Sequence, residues 1–365
     1  MRKLFAVISI MILTVLAAVS GCQAGTEPSA DSTSPLVGKT GAPAKLAFLT
    51  HPGDGASMTA LSTPPVVAIQ DSNGNTITGA ILPIKLTITS GTGADAARLF
   101  GPSIANAVNG TVEFQGISID KEGSGYTLTA SCGDLTPAVS APFSISPGVP
   151  AKLAFTVQPS GGVAGFPFAT QPVVTVQDKG GNTVTDYEGS VTVGISFATG
   201  PSVMALSGTN TVPVVDGAAR FTDLSINATG FEYTLTALSG SLDSTDSAAF
   251  TITADEPARL EFTVQPERVI AGQIFEITPK VAIVDVNGNV VTSSRAYITI
   301  SITPGTGAAG AVLSGQKTLY SEGAMGGLAD FDDLSIDLVG AGYTLTATSD
   351  DLLPATSASF DVTAS

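Results

Sequence analysis

Apolar and polar positions alternate with a period of two along most of this chain. Ile84, Leu86 and Ile88 are interleaved with Lys85, Thr87 and Thr89. Val191, Val193 and Ile195 stand against Thr192 and Gly194, and Ile298, Ile300 and Ile302 against Thr299 and Ser301. Successive side chains of a strand point to opposite faces, so each segment is predicted to be a strand with its Ile/Leu/Val face inward. Tyr126, Leu128 and Ala130 alternate with Thr127 and Thr129 in another strand. No segment carries a 3.6-residue apolar period long enough for a helix that packs.

The strands recur in three copies. Lys45-Leu46-Ala47-Phe48 returns as Lys152-Leu153-Ala154-Phe155 and as Arg259-Leu260-Glu261-Phe262, 107 residues apart each time. The turn Asp71-x-x-Gly74-Asn75 returns as Asp178-x-x-Gly181-Asn182 and Asp285-x-x-Gly288-Asn289 at the same spacing. The segment headed by Tyr126 returns at Tyr233 and Tyr343, offsets of 107 and 110, so the third copy carries three extra residues. A period near 107 is too long for a solenoid unit and suits an independent domain. We expect domains at 43–148, 149–255 and 256–365. Both joints are short and end in Pro150 and Pro257, which predicts a semi-rigid rod about 100–120 Å long. Ser365 lies two residues past the last strand, so this rod is expected to carry no head.

Seven strands in about 105 residues, with turn signals between them, predict an antiparallel β-sandwich. Nine phenylalanines occupy three shared positions, 48/155/262, 114/221/331 and 143/250/360. Each is expected to anchor a core. Tyr126, Tyr233 and Tyr343 sit where Greek-key sandwiches place a tyrosine corner, a hydroxyl bonded to backbone a few residues upstream. With the Asp-x-x-Gly-Asn hairpin and the closing Phe strand, residues 44–363 resemble the bacterial immunoglobulin-like domains of the invasin/intimin type. The resemblance implies tandem immunoglobulin-like sandwiches on a cell surface. The chain departs from antibody domains in lacking the Cys pair and core Trp. It departs from intimin-like adhesins in lacking a β-barrel anchor and a lectin-like tip.

The N-terminus differs. Arg2-Lys3 precedes a sixteen-residue apolar stretch, Leu4 to Val19, broken by Ser9 and Thr14. That is short for a spanning helix and fits a secretory signal. The following Val19-Ser20-Gly21-Cys22 resembles the lipobox of bacterial lipoproteins. The resemblance implies removal of residues 1–21 and lipidation of Cys22, tethering an extracytoplasmic protein to an envelope membrane. The plainer reading is a secretory signal with an incidental Cys. Residues 22–42, rich in Ser, Thr, Pro and Gly, read as a flexible tether whose ends lie about 25 Å apart.

Charge and chemistry narrow the function. The formal net charge is −16, and outside Arg2-Lys3 no basic cluster occurs, so nucleic acid is not an expected partner. The Asp71 turn shares Asp, Asn and Gly with an EF-hand loop, but Gly stands fourth and Leu82 twelfth. A tight hairpin is therefore expected, not calcium. His51 is the only His, with Gln158 and Gln265 at its position in the other copies, so no His-based triad or metal site assembles. Asp332-Asp333 falls on an expected strand, where neighbours point apart. Cys132, matched by Ser239 and Ser349, is expected on the inner face; an intermolecular disulfide is the alternative. Tyr187, Tyr297 and Tyr320 are the tyrosines outside the corners. We expect no catalytic residue, metal or cofactor. The expected function is a lipid-anchored structural or adhesive rod of the cell envelope that contacts an unidentified surface or extracellular protein. The alternative is a binding module for envelope polysaccharide or an exported substrate.

Overall fold

The computed structural model describes residues 41–197, 199, 206–321 and 326–364. Cys22, the targeting segment and most of the tether lie outside the described residues. The chain divides into two compact units, Met1–Gly148 with Lys179–Asn182, and Val149–Asp178 with Thr183–Ser365. The second unit contains two copies of the repeat, and each of the three copies has its own apolar core.

Every described element is a strand, and each copy is an immunoglobulin-like sandwich. In the first copy, Lys45–Thr50, Val66–Gln70 and Thr111–Glu113 form one antiparallel layer. Facing it, Ile104–Asn106, Pro83–Ile88, Leu128–Ser131 and Ala138–Val139 pair in that order. A third sheet continues this layer: Gly55–Ala56 runs parallel to Phe143–Ser146, which pairs with Gly123–Tyr126. The other copies repeat these pairings.

Among the described residues each copy has twelve short strands, where seven were expected. Four of the five extra strands are two-residue pairings such as Gly55–Ala56 and Leu99–Phe100, and the fifth comes from a strand that breaks where it changes partner. Gly123–Tyr126 pairs with Phe143–Ser146, and after Thr127 the chain pairs with Pro83–Ile88 instead. Thr127 leaves the ladder, and its N–H donates to Thr92 Oγ1 at 3.2 Å. Thr344 does the same to Thr306. A buried amide needs a partner, so a side chain substitutes where the ladder is interrupted.

The alternation expected for the second layer is present: Ile84, Leu86, Val191, Val193, Ile298 and Ile300 are buried. Of the nine shared phenylalanines, Phe48 and Phe155 depart from the expectation and are only half-buried. Phe262, at the same position, is 7% exposed. Phe48 and Phe155 stand just before a register shift in their strand, but the third copy has the same shift, so the shift does not account for the difference.

The largest fully buried side chains are the three tyrosines. Tyr126 Oη donates to Lys121 O at 2.9 Å, Tyr233 to Ala228 O at 3.2 Å and Tyr343 to Leu338 O at 2.8 Å. Their rings lie 5.9–6.0 Å from Phe143, Phe250 and Phe360. Room for the ring is made by a glycine: a Cβ on Gly307 would stand 2.2 Å from Tyr343 Cδ1, and its φ of +69° is left-handed. Gly307→Ala is therefore expected to destabilise the third copy by about 3 kcal/mol, through both overpacking and backbone strain. Tyr343→Phe should cost about 1–2 kcal/mol, because Leu338 O loses its donor. Denaturant unfolding of the two variants checks both; equal losses would mean that the ring space is not the constraint.

Candidate functional site

The Asp-x-x-Gly-Asn turn is built around one buried carboxylate. Asp71 and Asp285 are 1% and 0% exposed. Asp71 Oδ1 accepts from the N–H groups of Asn73 and Asn75, both at 2.9 Å, and Oδ2 from Gly41 N and Asn75 Nδ2, both at 3.1 Å. Asp285 repeats the set with Asn287 N, Asn289 N, Asp255 N and Asn289 Nδ2, at 2.8–3.1 Å. Four donors occupy the four acceptor sites of each carboxylate. These aspartates organise the hairpin and leave no lone pair directed at a cation. Gly74, Gly181 and Gly288 hold φ of +84° to +89°, which explains Gly at the fourth position. Asp178 is equally buried.

The donors also set the acidity. The Asn75 side chain, then its backbone N–H and that of Gly41, hold the Asp71 carboxyl at about 2. Burial pushes Asp285 upward, but bonds from the Asn289 side chain and backbone outweigh it and hold the carboxyl below its ordinary value.

The last residue of the turn reaches further. Asn289 Nδ2 also donates to Asn227 O at 2.9 Å, and Asn289 Oδ1 accepts from Thr229 N at 3.0 Å. Residues 227–229 belong to the second copy, so one amide side chain of the third copy reads a backbone acceptor and donor of the second. Asn287 Nδ2 adds a bond to Ala164 O at 3.2 Å. Gly165 admits it, since a Cβ there would stand 2.8 Å from Asn287 Nδ2. Arg259 Nη1 fixes the turn from its own copy through Asp285 O at 3.0 Å. Within the first unit, Asn182 makes the matching pair: Nδ2 donates to Asp120 O at 2.8 Å, and Oδ1 accepts from Glu122 N at 3.0 Å.

Between those two backbone groups sits the carbonyl held by the tyrosine. Ala228 O, between Asn227 and Thr229, accepts from Tyr233; Lys121 O, between Asp120 and Glu122, accepts from Tyr126. The corner fixes the loop conformation that the asparagine reads. Sequence reasoning placed the turn and the corner residues but missed that they meet.

The remaining candidates have structural partners. His51 Nδ1 accepts from Ala141 N at 2.9 Å, as Gln158 Oε1 and Gln265 Oε1 accept from Ala248 N and Ala358 N. An imidazole nitrogen thus replaces an amide oxygen in the same bond. Cys132 is 5% exposed within the first core. Asp332 and Asp333 lie in a turn rather than a strand, and both Asp333 oxygens accept from Gln316 N. Tyr187 donates to or accepts from Ser239 Oγ at 2.8 Å. Tyr297 and Tyr320 face each other across two strands, centroids 4.8 Å apart. No group of three or more His, Cys, Asp or Glu that could hold a metal occurs among the described residues.

No family model matches the sequence, and no curated protein matches it. Among solved structures, the chain is similar to FdeC, described as a broadly conserved Escherichia coli adhesin: 16% identity, 88% of this chain, 99% of that one, TM-score 0.32. It is similar to invasin, a bacterial integrin-binding protein: 19% identity, 86% of this chain, 59% of that one, TM-score 0.27. The chicken CNTN1 FN1–FN3 domains match at 13% identity over 89% of this chain and all of that one, TM-score 0.30. Similarity at this level carries nothing about function.

Two outcomes follow from the site. Asn289→Ala should speed hydrogen exchange at Thr229 N–H and destabilise the second unit by about 1–3 kcal/mol; unchanged exchange at Thr229 would refute the clamp. For the carboxylates, the folded pKa lies below the unfolded value of about 3.9. Their stabilisation is thus fully present above that value and is lost as pH falls below it, for Asp71 toward about 2. Thermal unfolding should show Asp285→Asn less stable than the parent at pH 7, with the gap narrowing below about pH 4.

Proposed function

We propose that this chain is a non-catalytic, lipid-anchored protein of the cell envelope, a structural or adhesive rod of immunoglobulin-like domains acting by protein–protein contact. The observation that carries the reading is the asparagine clamp. The third copy grips the second through backbone groups fixed by a tyrosine corner, an arrangement that holds successive domains in register. The candidate chemical residues support it from the other side. His51 Nδ1, the Asp333 oxygens and the turn aspartates accept from backbone N–H groups, bonds that serve the fold.

Location rests on the sequence. The basic start, apolar stretch and Cys22 support export and lipidation, and the acidic remainder supports a partner other than an anionic surface. Membrane fractionation tests the anchor: the parent should pellet with membranes and Cys22→Ser should not. Adhesion is tested by presenting the chain to extracellular-matrix proteins and to surface proteins of the producing cell. Saturable capture of a protein in either set is the expected result. A chain that binds neither while remaining extended in small-angle scattering would leave a structural spacer. A collapsed scattering profile would overturn the rod.

A further inference from the structure

The outer face of one sheet in the third copy has a composition that the fold does not require. The strand Tyr297–Ile302 buries Ile298 and Ile300 and presents Tyr297, Thr299 and Ser301 to solvent. Its edge neighbour Thr318–Tyr320 presents Thr318 and Tyr320. On the other side, Leu345–Thr348 and Ala355–Thr356 present threonines alone. Every outward position on these four strands carries a hydroxyl, and none carries a charge, in a chain of net charge −16.

The two other copies show that the sandwich tolerates different residues there. The first has Lys85 and Ile104 at such positions, and the second has Pro213, Leu238 and Asp246. The uniform face is therefore a property of the third copy and not of strand propensity.

At one end of this face the two tyrosines stand exposed. Tyr297 and Tyr320 are directly opposite in register, 66% and 41% exposed, with ring planes 50° apart. The two tilted rings pack on each other as an exposed aromatic patch, and both keep apolar surface in contact with water. Next to it, Thr299 and Thr318 hydroxyls are 3.0 Å apart, and each keeps further capacity to donate or accept. The ligand suited to this surface has apolar C–H faces to cover the rings, many hydroxyls to exchange hydrogen bonds with the threonine row, and no charge. A charged partner would find no counter-ion here, and an apolar one would leave the hydroxyls unpaired.

We propose that the exposed Tyr297/Tyr320 pair and the adjoining threonine face form a binding site for a neutral glycan, with hexopyranose rings stacked on the tyrosines. The site is additional to the protein contacts proposed above and does not depend on them.

Isothermal titration of the full chain in a sugar-free detergent tests it. The probes are cellohexaose, laminarihexaose and mannohexaose, with hexagalacturonate as the charged contrast. At least one neutral hexasaccharide should bind with a Kd in roughly the micromolar to millimolar range, and hexagalacturonate should bind at least about tenfold more weakly. Tyr297→Ala and Tyr320→Ala should each weaken binding about tenfold or more, while Tyr297→Phe, which keeps the ring, should stay within about threefold. Thr318→Glu leaves the core untouched and places a charge on the face; it should abolish binding, which covers the case of an alanine variant that fails to fold. Three results overturn the proposal: no heat with any neutral probe, equal binding of hexagalacturonate, or binding indifferent to both tyrosines and to Thr318→Glu. Capture of a protein that is lost in Tyr297→Ala, without sugar binding, would overturn the glycan site and leave the adhesive reading standing.

Discussion

The bond from a buried tyrosine hydroxyl to the carbonyl five residues before it organises everything else in this protein. A tyrosine can be fully buried only if its O–H finds an acceptor. Here the acceptor is main chain, so burying the ring also fixes the loop. Tyr233 holds Ala228 O, and that leaves Asn227 O and Thr229 N directed outward. A primary amide has one acceptor and one donor end, which fits an adjacent backbone O and N–H. The interior of one domain thereby sets the surface that the next one binds.

That coupling explains why the turn is Asp-x-x-Gly-Asn and not simply any tight hairpin. Asn-Gly alone would turn the chain. The buried aspartate adds a scaffold: it gathers two N–H groups of the turn, one from the incoming segment and the Asn289 side chain itself. The asparagine is thus held by its own domain through one N–H and reads its neighbour with the rest of the amide. Its rotamer is set before contact, so little side-chain freedom is lost when the domains meet.

Much of this was legible in the sequence, and the parts that were not have physical reasons. Alternation identified the strands containing Ile84, Val191 and Ile298 because they are central in their sheet, where one face is wholly buried. The same logic overestimated Phe48 and Phe155, whose strand and register shift match those around the buried Phe262: alternation marks the face a residue points to and not how deeply that face is covered. Strand number was undercounted because four strands of each copy are two residues long, too short to show a period, and because Thr127 and its counterparts continue the pattern while the pairing partner changes. Hydrophobic period records the buried face and not the neighbour. The corner tyrosines and the turn residues were each visible, but their meeting was not: it joins residues of different copies, and spacing along one chain does not encode which backbone atoms face each other.

Repetition also separates structural chemistry from binding chemistry. Where three copies keep a bond while changing the residue, the bond belongs to the fold: His51, Gln158 and Gln265 all accept the same backbone N–H. Where the fold is kept and one copy alone becomes uniform, packing gives no reason for the uniformity. The outward positions of the third copy's four-stranded sheet are free of core constraint, since Ile298, Ile300, Leu345 and Ala347 supply the burial from the opposite face. Lys85 and Asp246 show that charge is compatible with such positions. Exposed tyrosine rings also keep apolar surface in water that a threonine or lysine would not. A solvent-facing sheet with that cost, and with hydroxyls at every outward position, is not explained by the core it covers.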